Sequence, residues 1–138
     1  MIGAAACIAA AIALQPHIEV GKGVVLMEDI PFAEVPSSDG GRMILNMDAA
    51  FPSWGGDAPL PTVVYIHGGG WFVGSQHEGA DAIQVLAEGG YFAVSIEYRL
   101  GGEAPFPAAL EDCFDAIRFL KANAGELGID STRIGVVG

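Results

Sequence analysis

The hydrophobic and polar positions along the chain predict alternating strands and helices. A charge-free, β-branched run at residues 62–66 is typical of a strand buried on both faces of a parallel sheet. Apolar residues at helical spacing predict a helix over residues 78–88, and the stretch at residues 91–98, rich in β-forming residues, predicts the next strand. A strand, a helix and a strand in this order indicate a parallel βαβ unit.

A second helix is the clearest in the sequence. It opens after two prolines, ends at Gly125, and carries one apolar stripe at helical spacing, formed by Leu110, Cys113, Phe114, Ile117, Leu120 and Ala124. Asp112 and Asp115 lie off this stripe, so we expect both carboxylates on a solvated face of the helix. A further buried strand is predicted over residues 133–137, which completes a parallel βαβαβ arrangement with right-handed crossovers.

An antiparallel hairpin is predicted before this parallel part. Residues 28–35 form its first strand, which Pro31 restricts to a sheet edge because proline donates no ladder hydrogen bond. A turn cluster at residues 37–41 leads to the second strand over residues 42–48. Since neither a repeat nor a linker divides the chain, residues 15–138 are predicted to belong to a single α/β domain.

Residues 1–14 are a separate, charge-free segment of alanine, isoleucine and other small residues. They are too short to span a bilayer and match the apolar region of a signal peptide. We therefore expect a secreted or periplasmic protein without stable membrane insertion; a buried N-terminal helix is the alternative interpretation. Cys7 would be lost on cleavage, which leaves Cys113 with no partner for an internal disulfide and suggests a small core residue.

The charge balance excludes one class of partner. Seventeen acidic and six basic residues give a formal net charge of −11, whereas a nucleic-acid-binding protein needs a basic face. The hydrophobic content of 51% indicates a chain that buries a core. No metal and no organic cofactor is indicated by any pattern in the sequence.

Three consecutive glycines carry the candidate chemistry. The first buried strand runs directly into His67, residues 68–70 and Trp71. Glycine lets backbone N–H groups turn outward and lets a substrate approach the main chain closely, and unpaired N–H donors at the end of a buried strand suit a developing oxyanion. A glycine-rich turn of no chemical role is the simplest alternative. A dinucleotide-binding turn is rejected, because a helix must begin at its glycines and residues 71–73 occupy that space.

Four motifs follow one another in an order and spacing that resemble the α/β-hydrolase superfamily. They occupy residues 67–71, 97–100, 104–112 and 128–138. The similarity is to bacterial esterases and lipases related to hormone-sensitive lipase, and especially to acetyl-, xylan- and feruloyl-type carboxylesterases. Each motif alone is a weak signal, but four in order are specific.

The resemblance implies a serine carboxylesterase that acts on short-chain or carbohydrate-linked acyl esters, with the backbone N–H groups of Gly69 and Gly70 in its oxyanion hole. The family's nucleophile lies in a G-x-S-x-G elbow whose first glycine matches Gly138, and the acid and the base histidine come later. None of the three is among these 138 residues, so the chain is expected to be an N-terminal fragment that is inactive by itself. A non-catalytic binding module with the hydrolase fold is the alternative, and the oligomeric state is left open.

The histidines and Trp71 are assigned roles outside the catalytic step. His67 is interpreted as a structural residue that holds the glycine-rich segment, because the family supplies a later histidine as the base. Trp71 is a candidate for substrate binding, although packing beneath the glycines is an equal alternative. His17 and His77 are expected to be solvated in loops.

Three polar residues at the end of a strand are expected to support the site. Glu97, Tyr98 and Arg99 form a cluster at the end of the strand predicted over residues 91–98. Structural ion pairs are the commonest use of such groups, so Glu97 is predicted to pair with Arg99 and to fix the neighbouring loops.

Overall fold

The computed structural model describes residues 18–54 and 56–138, which form a mixed six-stranded sheet covered by helices. In chain order the elements are β1 (Ile18–Val20), β2 (Val24–Pro36), β3 (Arg42–Pro52), β4 (Leu60–Ile66), a 3-10 helix (Gln76–Gly79), α1 (Ala80–Glu88), β5 (Phe92–Ile96), α2 (Ala108–Ala122), α3 (Ala124–Leu127) and β6 (Ile129–Val137). The sheet order is β1-β2-β3-β5-β4-β6. Strands β1, β2, β3 and β5 pair antiparallel, whereas β4 runs parallel to both β5 and β6. The predicted hairpin followed by a parallel βαβαβ unit is confirmed.

The central strand β5 shows why each face of the sheet carries a helix. All five of its residues are buried, as expected for a strand with a neighbour on each side. Phe92, Val94 and Ile96 belong to the larger core cluster, which includes residues of α2, and Ala93 belongs to the smaller cluster, which includes residues of α1. Because successive side chains of a strand point to opposite faces, the two helices lie on opposite faces. Each fully buried large apolar side chain stabilises such a core by about 1.5–3 kcal/mol.

The hairpin of β2 and β3 is longer than the pattern predicted, and its pairing is irregular. A register shift surrounds Asp29, whose φ angle is 55°. The shift places the backbone N–H of Asp29 2.9 Å from a carboxylate oxygen of Asp48 on β3. Strand β1 pairs only with residues 24–26 of β2, so Pro31 lies where β2 is at the edge of the described sheet, as predicted.

The apolar stripe predicted on α2 is wrong in part. Leu110 and Phe114 are about half exposed, and the buried face consists of Ala108, Asp112, Ala116, Phe119 and Leu120. The prediction treated Asp112 as solvated, so the predicted apolar stripe lies on a different side of the helix from the observed buried face. The helix also ends before Gly125, because the side-chain amide of Asn123 donates to the carbonyl of Phe119 over 2.8 Å and terminates the last turn.

Strand β6 was predicted to be buried, and most of it is exposed. In the part of the chain that the structure describes, β6 pairs with β4 alone, and Val136 and Val137 are about half exposed. A Cβ atom at Gly138 would lie 2.8 Å from the carbonyl oxygen of Ile66. The close approach brings the end of β6 beside the end of β4, where the glycine-rich segment begins.

Several sequence predictions fall on residues that the structure does not describe. The signal-like segment 1–14, with Cys7, and His17 are among them, so export stays a prediction. Among residues 18–54 and 56–138, no helix is long and apolar enough to cross a membrane.

Candidate functional site

The candidate site is built on the loop that follows β4, here called the glycine loop and defined as residues 68–74. The loop folds back on itself, because the N–H of Phe72 donates to the carbonyl of Gly69 over 3.1 Å. The N–H of Gly101 donates to the carbonyl of Trp71 over 2.6 Å and ties the loop to the segment after β5. This hydrogen bond therefore joins the segments that follow β4 and β5 at one edge of the sheet.

Two glycines are required for the shape of the glycine loop. Gly69 has a φ angle of 112°, and a Cβ atom there would overlap the carbonyl oxygen of Val73. Gly74 has a φ angle of 119°, and a Cβ atom there would overlap the imidazole ring of His67. Side chains are disfavoured at both positions by the backbone angle and by the lack of space.

The N–H groups of Gly69 and Gly70 have no hydrogen-bond acceptor in the described part of the chain. The parallel pairing of β4 with β5 ends at Ile66, and the hydrogen bonds of the loop use the carbonyl of Gly69 rather than either N–H. Both glycines are exposed at the surface of the loop. Two backbone donors after the carboxyl end of β4 therefore lie exposed without an acceptor among the described residues.

His67 lies beneath the glycine loop and is almost fully buried. Its Nδ1 is 2.7 Å from the carbonyl oxygen of Gly68, and its ring stacks on Tyr98 with 4.3 Å between ring centroids. The hydroxyl of Tyr98 donates to the carbonyl of His67 over 2.9 Å, and burial raises the pKa of Tyr98, which keeps that donor protonated. The carbonyl oxygen can only accept, so Nδ1 is the donor in this contact, and Nε2 has no hydrogen-bond partner among the described residues. The contacts hold the ring under the loop.

Arg99 pairs with Asp112, and the predicted pair of Glu97 with Arg99 is wrong. The Nη2 and Nε atoms of Arg99 lie 2.8 and 3.0 Å from the two oxygens of Asp112, and the backbone N–H of Arg99 donates to the same carboxylate over 2.8 Å. Hydrogen bonding to Asp112 raises the pKa of Arg99. Glu97 instead accepts a hydrogen bond of 2.9 Å from the N–H of Asn46, which joins the end of β5 to β3.

The pair of Arg99 and Asp112 is buried, which corrects the expectation of a solvated Asp112. The side chain of Asp112 has no exposed surface and that of Arg99 is 10% exposed. A charged group out of water needs a partner and further hydrogen bonds. The backbone N–H of Arg99 supplies one of them, so the pair fixes the start of the segment that follows β5.

A cleft of about 890 Å³ lies between the glycine loop and α2. Its lining is mostly apolar and includes Gly68, Gly70, Trp71, Tyr98, Leu110 and Cys113. His67 and Arg99 also line it, whereas Gly69 and Glu97 are not among the described residues that do. Trp71 is 68% exposed at the mouth, so it does not pack beneath the loop.

Cys113 packs against the larger core cluster and faces the cleft. Burial raises the pKa of its thiol to about 11, and the thiolate is the reactive form. At pH 8 the raised pKa lowers the fraction of thiolate more than it raises the nucleophilicity of each thiolate. We therefore expect iodoacetamide to alkylate native Cys113 about tenfold more slowly than an unfolded cysteine. Mass spectrometry of the peptide that contains Cys113, before and after unfolding in guanidinium, measures this ratio. Equal rates in the two states would contradict the burial described above.

The comparison with protein families decides the assignment. The model of the BD-FAE family matches residues 47–138. The chain belongs to this family. Carboxylesterase NlhH of Mycobacterium tuberculosis is 44% identical to the BD-FAE chain over 80 residues, which are 57% of the chain and 25% of NlhH. An arylesterase of Saccharolobus solfataricus is 44% identical over 78 residues, which are 55% of the chain and 25% of the arylesterase.

A solved structure extends the likeness beyond the matched segment. The structure of a bacterial heroin esterase is similar to 95% of the BD-FAE chain and to 38% of its own chain, with 31% identity and a TM-score of 0.65. The fold is therefore the N-terminal part of an α/β-hydrolase fold. The chain spans about a quarter of the length of the two curated relatives described above.

Sequence reasoning missed two residues near the site, Asp112 and His77. Asp112 is four residues from both Ala108 and Ala116, which are buried on the same face of α2, and this period is a signal that could have found it. The imidazole of His77 is about half exposed, but its Nδ1 is 2.7 Å from buried Asp48, so it is not simply solvated. No local pattern reveals that contact, because 29 residues separate the two.

One cluster of three residues in the described chain brings potential metal-binding atoms close together. Glu28, Asp48 and His77 place one such atom each within 4.8 Å of the others. His77 and Asp48 already hydrogen-bond to one another. Two of the three residues therefore already have each other as partners, and the group lies outside the cleft described above.

Proposed function

We propose that the BD-FAE chain supplies the oxyanion-hole part of a serine carboxylesterase that acts on short-chain or carbohydrate-linked acyl esters. The observation that carries this proposal is the pair of acceptor-free N–H groups at Gly69 and Gly70, at the carboxyl end of β4 and beside an apolar cleft. The names of the relatives, a carboxylesterase and an arylesterase, support the same class of reaction.

In the proposed reaction the glycine loop stabilises negative charge on the ester carbonyl oxygen. Attack by a serine hydroxyl turns that oxygen into an oxyanion, and each backbone donor aimed at it contributes about 3 kcal/mol of transition-state stabilisation. The serine, an acid and a base histidine would come from residues beyond the 138 considered. Gly138, next to the end of β4, matches the first glycine of the family's nucleophile elbow.

The cleft favours a substrate whose bound part is apolar and uncharged. Tyr98 presents its ring, and Leu110 and Cys113 present apolar side chains. Arg99, a charged residue of the lining, is already neutralised by Asp112. A free carboxylate on the substrate would therefore not form an ion pair with Arg99, and the loss of its hydration in the cleft would be costly.

The direct test measures hydrolysis of a short-chain p-nitrophenyl ester by the full-length protein. We expect turnover that is lost after treatment with phenylmethylsulfonyl fluoride, because this reagent modifies an activated serine. The 138-residue chain expressed alone is the matched control, and we expect no turnover from it. An inactive full-length protein that still binds the ester would favour the alternative of a binding module, and turnover by the 138 residues alone would contradict the proposed division of roles.

A further inference from the structure

The short 3-10 helix Gln76–Gly79 joins the glycine loop to α1, and its polar side chains reach the β2–β3 hairpin. The Nδ1 atom of His77 lies 2.7 Å from an oxygen of Asp48 on β3. The side-chain amide of Gln76 donates to a carboxylate oxygen of Asp29 on β2 over 2.9 Å. The two strands of the hairpin therefore each hold one residue of this helix.

Asp48 is the centre of this network. Its side chain is only 2% exposed, although it is a carboxylate. One of its oxygens accepts from the backbone N–H of Asp29 over 2.9 Å, and the other faces the imidazole of His77. A buried carboxylate is stable only when it is paired and hydrogen-bonded. Because Asp48 is too buried to be hydrated instead, its contact with His77 sets the position of His77 relative to the hairpin.

The network is directly connected to the glycine loop. Gln76 is buried, and Ser75 alone separates it from Gly74. Gly74 packs so closely on the imidazole ring of His67 that a Cβ atom there would overlap it. If Gln76 and His77 are displaced, we expect Gly74 to move with them. Gly74 then either shifts the imidazole ring of His67 or loses its contact with that ring.

The charges around His77 favour its protonated form. Asp48 on β3 and Asp29 and Glu28 on β2 face it, with the hydrogen bond to Asp48 as the main cause, and together they raise the pKa of His77 above the ordinary 6.5. Strands β4 and β5 contribute the uncharged side chains of Tyr65 and Ser95, which pack against Gly79 at the other end of the 3-10 helix. The remaining carboxylates nearby in sequence are Glu78 on the 3-10 helix and Asp81 in the first turn of α1.

We propose that His77, through its ion pair with Asp48, is a positioning residue that fixes the glycine loop, and that the loop is held most firmly when the imidazole is protonated. The effect on catalysis rests on the proposed esterase function; the effect on the loop does not. The stabilisation that comes from the charge is present below the ordinary pKa of 6.5 and is lost as the pH rises through the raised pKa. Loop positioning is therefore strongest in mildly acidic solution and weakens in alkaline solution.

The catalytic test compares the full-length protein with its H77N variant. Asparagine places an amide donor near the position of Nδ1, so it keeps a hydrogen bond to Asp48 but cannot become charged. Since small displacements of catalytic groups have large effects on rate, we expect kcat of the unmodified protein to exceed that of H77N about tenfold near pH 6. The ratio should fall towards one as the pH rises through the raised pKa of His77. Titration of the catalytic histidine affects both proteins and cancels in the ratio.

A matched control removes an ion pair that does not touch the glycine loop. Lys22→Gln breaks the exposed pair of Lys22 with Glu88, whose charged atoms are 3.1 Å apart. We expect kcat of this variant to remain within a factor of two of the unmodified protein at every pH, as is usual for exposed pairs. A ratio for H77N that is independent of pH, or a similar loss in Lys22→Gln, would overturn the proposal.

A second test needs no enzymatic activity. In two-dimensional NMR spectra of the full-length protein, we expect the amide signals of Gly69 and Gly70 to shift with the same midpoint as the His77 ring, and Asp48→Asn to move that midpoint back towards 6.5. If the glycine signals do not change as His77 titrates, the positioning role is overturned even in an active esterase.

If the glycine signals do follow the titration of His77 in a protein without turnover, the positioning role is retained and the proposed function is rejected. A midpoint that changes on addition of Zn²⁺ would place a cation among Glu28, Asp48 and His77 and overturn the ion-pair assignment.

Discussion

Gly69→Ala is expected to lower kcat for ester hydrolysis by the full-length protein at least 100-fold. The added methyl group would overlap the carbonyl oxygen of Val73, and the φ angle of 112° is one that alanine rarely adopts. The loop must shift to relieve the overlap, which displaces the N–H groups of Gly69 and Gly70. Loss of one oxyanion donor costs about 100- to 1,000-fold in kcat. Steady-state kinetics with a p-nitrophenyl ester, together with circular dichroism to verify folding, measures the effect.

The control for this variant is Gly102→Ala. Gly102 is exposed, its φ angle is not positive, and no atom lies within 4 Å of the Cβ position. We expect kcat of Gly102→Ala to remain within a factor of three of the unmodified protein, since the added methyl group meets open space. A Gly69→Ala protein that is folded and retains comparable activity would show that the amides of the loop are not used in the reaction.

Asp112→Ala is expected to lower the free energy of unfolding by about 3–5 kcal/mol. The substitution leaves the guanidinium of Arg99 buried without its carboxylate partner, because the side chain of Arg99 is only 10% exposed and that of Asp112 is fully buried. It also removes the acceptor for the backbone N–H of Arg99. Urea unfolding of the full-length protein, followed by fluorescence, measures the change.

Asp115→Ala is the matched control on the same helix. Its carboxylate forms an exposed pair with Arg118, three residues away, at 2.7 Å. Both substitutions bring the same gain in helix propensity, so the difference between them isolates the effect of burial. We expect Asp115→Ala to change stability by less than about 1 kcal/mol. Equal losses for the two variants would contradict the assignment of the Arg99–Asp112 pair as a buried structural element.

The partner of Arg99 is a feature that the sequence did not predict correctly. The sequence predicted that Glu97 pairs with Arg99, because structural ion pairs are the commonest use of such groups. In the structure they diverge at the end of β5: Glu97 turns to the N–H of Asn46 on β3, and Arg99 turns to α2. Residues two positions apart share a face only while the strand lasts. Because β5 ends at Ile96, Glu97 and Arg99 lie beyond it and turn to different partners.

His77 illustrates the same limit at another point of the fold. Its surroundings in sequence are polar, which is typical of a solvated loop. Asp48, its partner, lies in a strand whose other buried residues are all apolar. The two meet because the irregular pairing of β2 and β3 and the path of the glycine loop bring the hairpin and the 3-10 helix together, and neither feature has a local signature.

The sequence by itself determined the order of the elements, the α/β class and the position of the glycine loop. These depend on local patterns: runs of apolar residues, helical spacing, and glycines at φ angles that other residues avoid. Tertiary structure alone decided the partners of Arg99 and His77 and the rotation of α2 about its axis. Each of these depends on which surfaces pack together, and the sequence separations between paired charges, 13 residues for Arg99 and 29 for His77, lie beyond the range of any local pattern.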